Sequence, residues 1–444
     1  AIGSDLADTI PTTDDAVKGQ RWCSARKRLM ATGRAAHPSW RPTRSQLRSA
    51  IRGDGDARHS DAYKRLTTAS YKVTLATQRH SDTETQTVAA AAAAAAAETV
   101  KLFTSRQLGD GLDAQWVCYT GGPIWALDWC PCQPERADGG ATERADGGGT
   151  ECPSIVALSV HGKDQTSHVI NEPSAGPNLI QIWQMPASHA GTAAPLTQRD
   201  KQRETEQQPT MLFGIAHDGG TVWDLKWLPY SNDRAETQTQ SARAEGNEGD
   251  VLGRLGLLAA ALGSGELVVY AVPHPAALHR ERSRQPEALS VPLCVHLAPV
   301  YRASMEGKVM WTVAWSPTGD RIAAGCADGT LAVWGMPTHT ETETKTQSDR
   351  ERAAVPLVSI KAHDEAIRSC GWAPSLSEGG ETDPTLAGEH HVITISHDSE
   401  LKFWDLRDPW QAWLQITSGK AAWGTCCLWP TDSAAVWSCY TDGR

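Results

Sequence analysis

Residues 121–131 read GGPIWALDWCP and residues 219–229 read GGTVWDLKWLP. The phrase returns in looser form as GKVMWTVAWSP at 307–317, HDEAIRSCGWAP at 363–374 and KAAWGTCCLWP at 420–430. In each copy apolar residues alternate toward a closing Trp, and a Pro follows. Alternation puts every second side chain on one face of a strand, and Pro, which lacks an N–H, stops the ladder. A second half-unit follows each of the first four copies: NLIQIWQMP at 178–186, LGLLAAALGSGELVVYAVP at 255–273, RIAAGCADGTLAVWGMP at 321–337 and HHVITISHDSELKFWDL at 390–406. Apart from the first, which follows a long insert, each reads strand, tight turn, strand. The closing residues Trp129, Trp227, Trp315, Trp372 and Trp429 come as close as 57 residues apart. A unit of about 40–45 residues plus loops is the period of a four-stranded propeller blade. The chain is therefore predicted to be an all-β propeller, with full blades at about 121–215, 219–297, 307–361 and 363–417 and a partial fifth at 420–444.

The rest of the chain divides by composition. Of 18 Trp, 16 lie at or after Trp116. Residues 1–80 hold 15 Lys+Arg against 7 Asp, a net charge of +8, whereas the remainder is net −18. Residues 1–100 read as a basic, low-complexity arm too poor in apolar side chains to offset its ordering entropy, and 101–444 as the propeller. Within the arm, Arg26, Lys27, Arg28, Arg34, Arg41, Arg44, Arg48 and Arg52 meet almost no acid before Asp54. Such a run suits loose phosphate contact, or simply solvates a tail. The acidic body argues against a primary DNA reader.

Several function classes find no support. Neither a phosphate loop, a nucleophile elbow nor an HExxH motif occurs, so the chain does not read as an enzyme. The 11 Cys are scattered without zinc-finger spacing and read as buried thiols of a reducing compartment. His390, His391 and His397 lie close in sequence but read as polar surface residues at a strand start and a turn. No cofactor, metal, small-molecule substrate or membrane span is expected. Polar inserts at 133–152, 187–208, 230–250, 274–288, 338–353 and 375–389 fall on the a–b and c–d turns. In an up-and-down blade both turns leave by the same end, and these inserts read as low-complexity sequence with no packed role. The opposite face, trimmed apart from 161–178 and 298–308, reads as the place for a partner. DAQWVCYTGG, before the first phrase, reads as an outer strand of a closing blade. The chain stops mid-blade at SCYTDGR and is read as a piece of a longer six- or seven-bladed protein.

Residues 362–406 resemble a WD40 repeat. His363 stands where the family has Gly-His, Thr394 or Ser396 on the second strand, Asp398 in the tight turn and Trp404-Asp405 at the third strand's end. In that family such residues form a hydrogen-bonded chain, which implies a framework role here. Other units carry remnants: Asp328 and Trp334 in the third, and His217 in the second, where Ser264 and Tyr270 replace Asp and Trp. More narrowly, YTGGPIWALDWCP, AHDGGTVWDLKW and RLGLLAAALGSGELVVYAVPHP resemble landmarks of the WD40 subunit of transcription factor three C. That resemblance implies a nuclear, non-enzymatic scaffold that joins the other subunits of the RNA polymerase III factor at the internal promoters of tRNA genes. DNA would be met indirectly or through the arm. Two alternatives stay open. Trp404-Asp405-Leu406-Arg407 is a WDxR motif, similar to that of cullin-RING ligase substrate receptors, and a WD40 scaffold of some other assembly is the third reading.

Overall fold

The computed structural model describes residues 42–52, 102–108, 115–131, 154–161, 168–186, 208–229, 254–283, 293–337, 353–374, 390–418, 422–430 and 435–443. They fall in two compact units, 42–313 and 314–443. All the inserts named above except 274–288 lie largely or wholly outside the described residues.

In the first unit a hairpin of β1 (Ser105–Leu108) and β2 (Gln115–Cys118) precedes two larger sheets. β3 (Ile124–Trp129), β4 (Ser154–Val160), β5 (Asn178–Met185) and β6 (Thr210–His217) pair antiparallel in sequence order. β7 (Val222–Trp227), β8 (Arg254–Leu262), β9 (Glu266–Pro273) and β11 (Tyr301–Ser304) repeat that order. The Trp phrases thus form the first strand of each sheet. The short β10 (Cys294–Val295) adds parallel to β6 and covers its outer edge. β8 and β9 are apolar almost throughout because both their faces are buried, where a half-exposed strand would alternate. Their side chains share one core with Ile180, Ile182, Phe213 and Ile215 of the preceding sheet. Each such burial contributes roughly 1.5–3 kcal/mol. Cys118 and Phe103, flanking the hairpin, pack on Val156, Leu158 and Trp183, so Gln115–Cys118 is half of a two-stranded sheet.

Among the described residues two helices belong to this unit. α1 (Arg44–Arg52) lies within the basic arm. Thr43 and Gln46 close a capping box: the Gln46 N–H donates to Thr43 Oγ1 at 3.2 Å and the Thr43 N–H to Gln46 Oε1 at 2.9 Å. Leu47, Ala50 and Ile51, at helical spacing, are buried in the same core as β8 and β9. α2 (Pro275–Ser283) occupies the 274–288 insert and buries Ala277, Leu278 and Glu281. That insert, read from its composition as unpacked, is a packed element, because its two apolar residues adjoin the apolar stripe of α1.

The second unit begins within β12 (Met310–Trp315), the first strand of a sheet continued by β13 (Arg321–Cys326), β14 (Thr330–Gly335) and β15 (Val358–Lys361). β16 (Ile367–Trp372), β17 (His391–Ser396), β18 (Glu400–Asp405) and β19 (Leu414–Thr417) form the next. β20 (Gly424–Leu428) and β21 (Trp437–Tyr440) pair as a last hairpin. Trp372 and Trp404 pack with Leu331, Val333 and Val392 in the core of this unit.

Candidate functional site

In the β16–β19 sheet one hydroxyl joins two rings. Thr394 Oγ1 lies 2.7 Å from His363 Nε2 and accepts from Trp404 Nε1–H at 2.8 Å. His363 Nδ1 lies 2.9 Å from Asp398 Oδ2, and the Asp398 carboxylate also accepts the Glu400 and Asp364 N–H groups. Burial pushes the Asp398 carboxyl up, but the His363 hydrogen bond and charge, with the two amides, outweigh it and hold it below the usual carboxylate range. Ser396 stands beside this chain, donating to Glu365 O and accepting from the Asp398 N–H. His363, Asp398 and Glu400 have ligand atoms close enough together to hold a cation. Both His363 nitrogens are already engaged, however, so the group works as a clasp between turn and strands.

The other sheets meet the same need with different atoms. Asp328 accepts from the Thr330 N–H and hydroxyl, while Trp334 Nε1 donates to Ala354 O at 3.2 Å. In the first sheet Trp183 Nε1 donates to Gln181 Oε1 at 2.9 Å, and Gln181 Nε2 donates to Thr120 O. Gln181 was not legible as a partner because an amide two residues from a Trp has no fixed pattern. His217 Nδ1 accepts the Gly219 N–H, but its buried Nε2 has no hydrogen-bond partner among the described residues. Burial drives its pKa down to about 4.

A second group of rings gathers at the start of the first strands. The register of β3 shifts between Ile124 and Ala126, and that of β7 between Val222 and Asp224, so Trp125 and Trp223 each sit on a bulge. A bulge re-aims its extra side chain out of the two-residue alternation. Trp125 stacks on His161 at 4.7 Å between ring centroids, Trp223 lies 5.0 Å from His168 and 5.9 Å from Trp125, and Trp311 lies 5.5 Å from Trp223. The His168–Pro177 loop is pinned over these strand starts. Asn171 donates to Gly307 O and accepts the Val309 N–H, the Ser174 N–H donates to Gly263 O at 2.7 Å, and the Gly176 N–H to Asp218 O. This closeness explains the Gly-Gly of the phrase, since a Cβ on Gly220 would stand 2.0 Å from Ser174 O. Burial and nearby His168 hold His161 below its ordinary pKa. The recurring Trp-x-x-x-Trp at 125–129, 223–227 and 311–315 carried the signal for this cluster.

The model of the "WD domain, G-beta repeat" family matches residues 299–335, which include β12–β14 and the Asp328 and Trp334 just placed. The chain is a WD40-repeat protein. Its similarity to General transcription factor 3C polypeptide 2 of Homo sapiens is 30% identity over 308 residues, 66% of this chain and 28% of that one. The WD40 chain thus spans under a third of that relative's length. It is also 30% identical over 115 residues, 26% of this chain and 21% of the other, to COMPASS component SWD1 of Saccharomyces cerevisiae. Among solved structures, the WD40 domain of Toxoplasma gondii coronin has 12% identity and a TM-score of 0.40, covering 74% of this chain and 55% of that one.

The remaining candidates in this WD40 protein are placed separately. Arg48 Nε meets the buried Glu281 carboxylate at 2.9 Å and Arg44 Nε approaches it at 4.0 Å, so two of the basic residues considered for DNA face an acid instead. Arg52 ends α1, and Arg26, Lys27, Arg28, Arg34 and Arg41 lie outside the described residues. In the WDxR motif Trp404 is buried, and Arg407 forks onto Asp405, with Nη2 2.8 Å from Oδ2. His390 lies 3.4 Å from Arg321, His391 lies 3.9 Å from Asp405, and His397 stacks on Trp423. The three His have different neighbours, and His390, expected at the surface, is buried. Among the described residues no helix is long and apolar enough to cross a membrane.

Proposed function

We propose that this WD40 protein is a non-enzymatic scaffold subunit of the nuclear RNA polymerase III general transcription factor that recognises the internal promoters of tRNA genes. The observation that carries the reading is the 30% identity to General transcription factor 3C polypeptide 2 over 66% of the chain. The phrases GGPIWALDWCP and GGTVWDLKWLP, in each of which the first Trp sits on a bulge, add to it. Its partners are the other subunits of that factor. Its polar clusters, used to clasp turns to strands, suit a rigid platform, and the arm before residue 42 is the part suited to touch DNA.

Tagged protein should co-purify with the other factor subunits and crosslink to tRNA genes over their internal promoters. Its depletion should lower new tRNA synthesis before messenger RNA synthesis changes. Recovery of a cullin adaptor in place of those subunits, with the adaptor lost on Arg407→Ala, would replace this reading with the ligase receptor. Recovery of neither would leave a scaffold of another assembly.

A further inference from the structure

The bulge-borne tryptophans do more than fill a core. Trp125 is 45% exposed although it stacks on His161, and in the loop above the cluster Val169 is 67% and Ile170 61% exposed. Single exposed apolar residues are ordinary, but a run of them on a pinned loop beside an exposed indole is the composition of an interaction site. The His168–Pro177 loop is tied to the β6–β7 link, the turn after β8 and the approach to β12, so its position is fixed. Exposed Glu172, Asp218 and Glu306 edge the patch. Across the described segments 168–177, 217–222 and 304–309 the one Lys or Arg is Lys308.

We infer that Trp125, Val169 and Ile170, rimmed by Glu172, Asp218 and Glu306, bind a short apolar peptide segment of a protein partner that is flanked by Lys or Arg. This rests on the scaffold reading and names the surface through which the scaffold works. An apolar anchor would cover Trp125 and the aliphatic pair, the central element of most interfaces. The flanking cations would meet the acidic rim and the indole face. A peptide fits better than a lipid tail because one segment can carry both the apolar anchor and the cations that the acidic rim favours. Nucleic acid is disfavoured, since its phosphates would face three carboxylates.

Selection of a phage-displayed random peptide library on the whole chain tests the site. Enriched peptides should carry a large apolar residue flanked by Lys or Arg, and their binding should weaken as salt rises. The surface variant Val169→Asp/Ile170→Asp, checked for an unchanged melting temperature, should weaken binding about tenfold or more, or about 1.4 kcal/mol. Trp125→Ala should do the same, and Glu172→Gln/Glu306→Gln should flatten the salt dependence. Enrichment of acidic peptides, no enrichment, or binding indifferent to the Asp pair would overturn the site. The library contains no factor subunit, so the two readings fail separately. Wild-type chain that selects basic-flanked apolar peptides yet recovers no polymerase III subunit supports the site and overturns the assembly assignment.

Discussion

Thr394 carries more than its size suggests, because its one hydroxyl lies between His363 Nε2 and Trp404 Nε1. Thr394→Val keeps the shape and strand propensity but strands two buried ring nitrogens. At about 1–3 kcal/mol for each unsatisfied group, the loss in denaturant unfolding should exceed ~2 kcal/mol. Combined with Trp404→Phe it should be less than additive, because the second change removes a donor already orphaned. An additive cycle would mean the hydroxyl and the indole act independently. His217 supplies a pH dependence. Its folded pKa is about 4 against an ordinary 6.5, with burial as the main cause. The folded state therefore resists protonation that the unfolded chain accepts. Its contribution is present above pH 6.5 and is lost as pH falls from 6.5 toward 4, to a total on the order of 3 kcal/mol. His217→Gln should flatten the stability curve over that window and leave it unchanged above pH 7. An unaltered slope between pH 6.5 and 4 would assign the titration to other groups.

At the scale of elements, the strands were legible because alternation with a closing Trp and Pro admits few other conformations, while the bulges were not. A bulge changes which face a side chain takes without changing composition, so Trp125 and Trp223 read as ordinary strand residues until the register displaced them. Arg368 occupies the equivalent break in β16, which shows that the bulge is set by backbone register and is filled by either ring or cation. α1 escaped notice for another reason. Its three apolar residues and Thr-x-x-Gln box are diluted by the polar sequence around them, and an average over 100 residues hides a nine-residue helix. Helices this short are marginal alone, so α1 depends on Leu47, Ala50 and Ile51 being buried. Leu47→Asp should release it. Hydrogen exchange in 44–52 should then rise to the rate of an open peptide, while β16–β18 exchange as before. Continued protection in the variant would show that the capping box and Glu281 hold the helix without its apolar face.

At the scale of the whole molecule the charge is divided, with +8 in residues 1–80 and −18 beyond, and the structure redistributes part of the basic share. Glu281 is buried and Arg48 lies 2.9 Å from it, so that pair belongs to the fold of the 42–313 unit. Removing Arg48 would take away the cation 2.9 Å from this buried carboxylate, which destabilises that unit. The side chains that could neutralise phosphates are instead those before residue 42, from Lys18 and Arg21 to Arg41. Phosphate contact releases counterions, so each Lys or Arg lost from a DNA-binding arm lowers both affinity and its salt slope. Deleting residues 1–41 should therefore weaken loose duplex DNA binding and make the plot of log K against log salt shallower. Arg44→Ala/Arg48→Ala should lower the melting temperature of the protein while leaving DNA affinity within about twofold, since both side chains lie against the Glu281 carboxylate. If the double substitution impaired DNA binding as much as the deletion did, the α1 arginines would be contacting phosphate and the Glu281 pair would be exchangeable. If neither change mattered, DNA would reach this protein only through its partners.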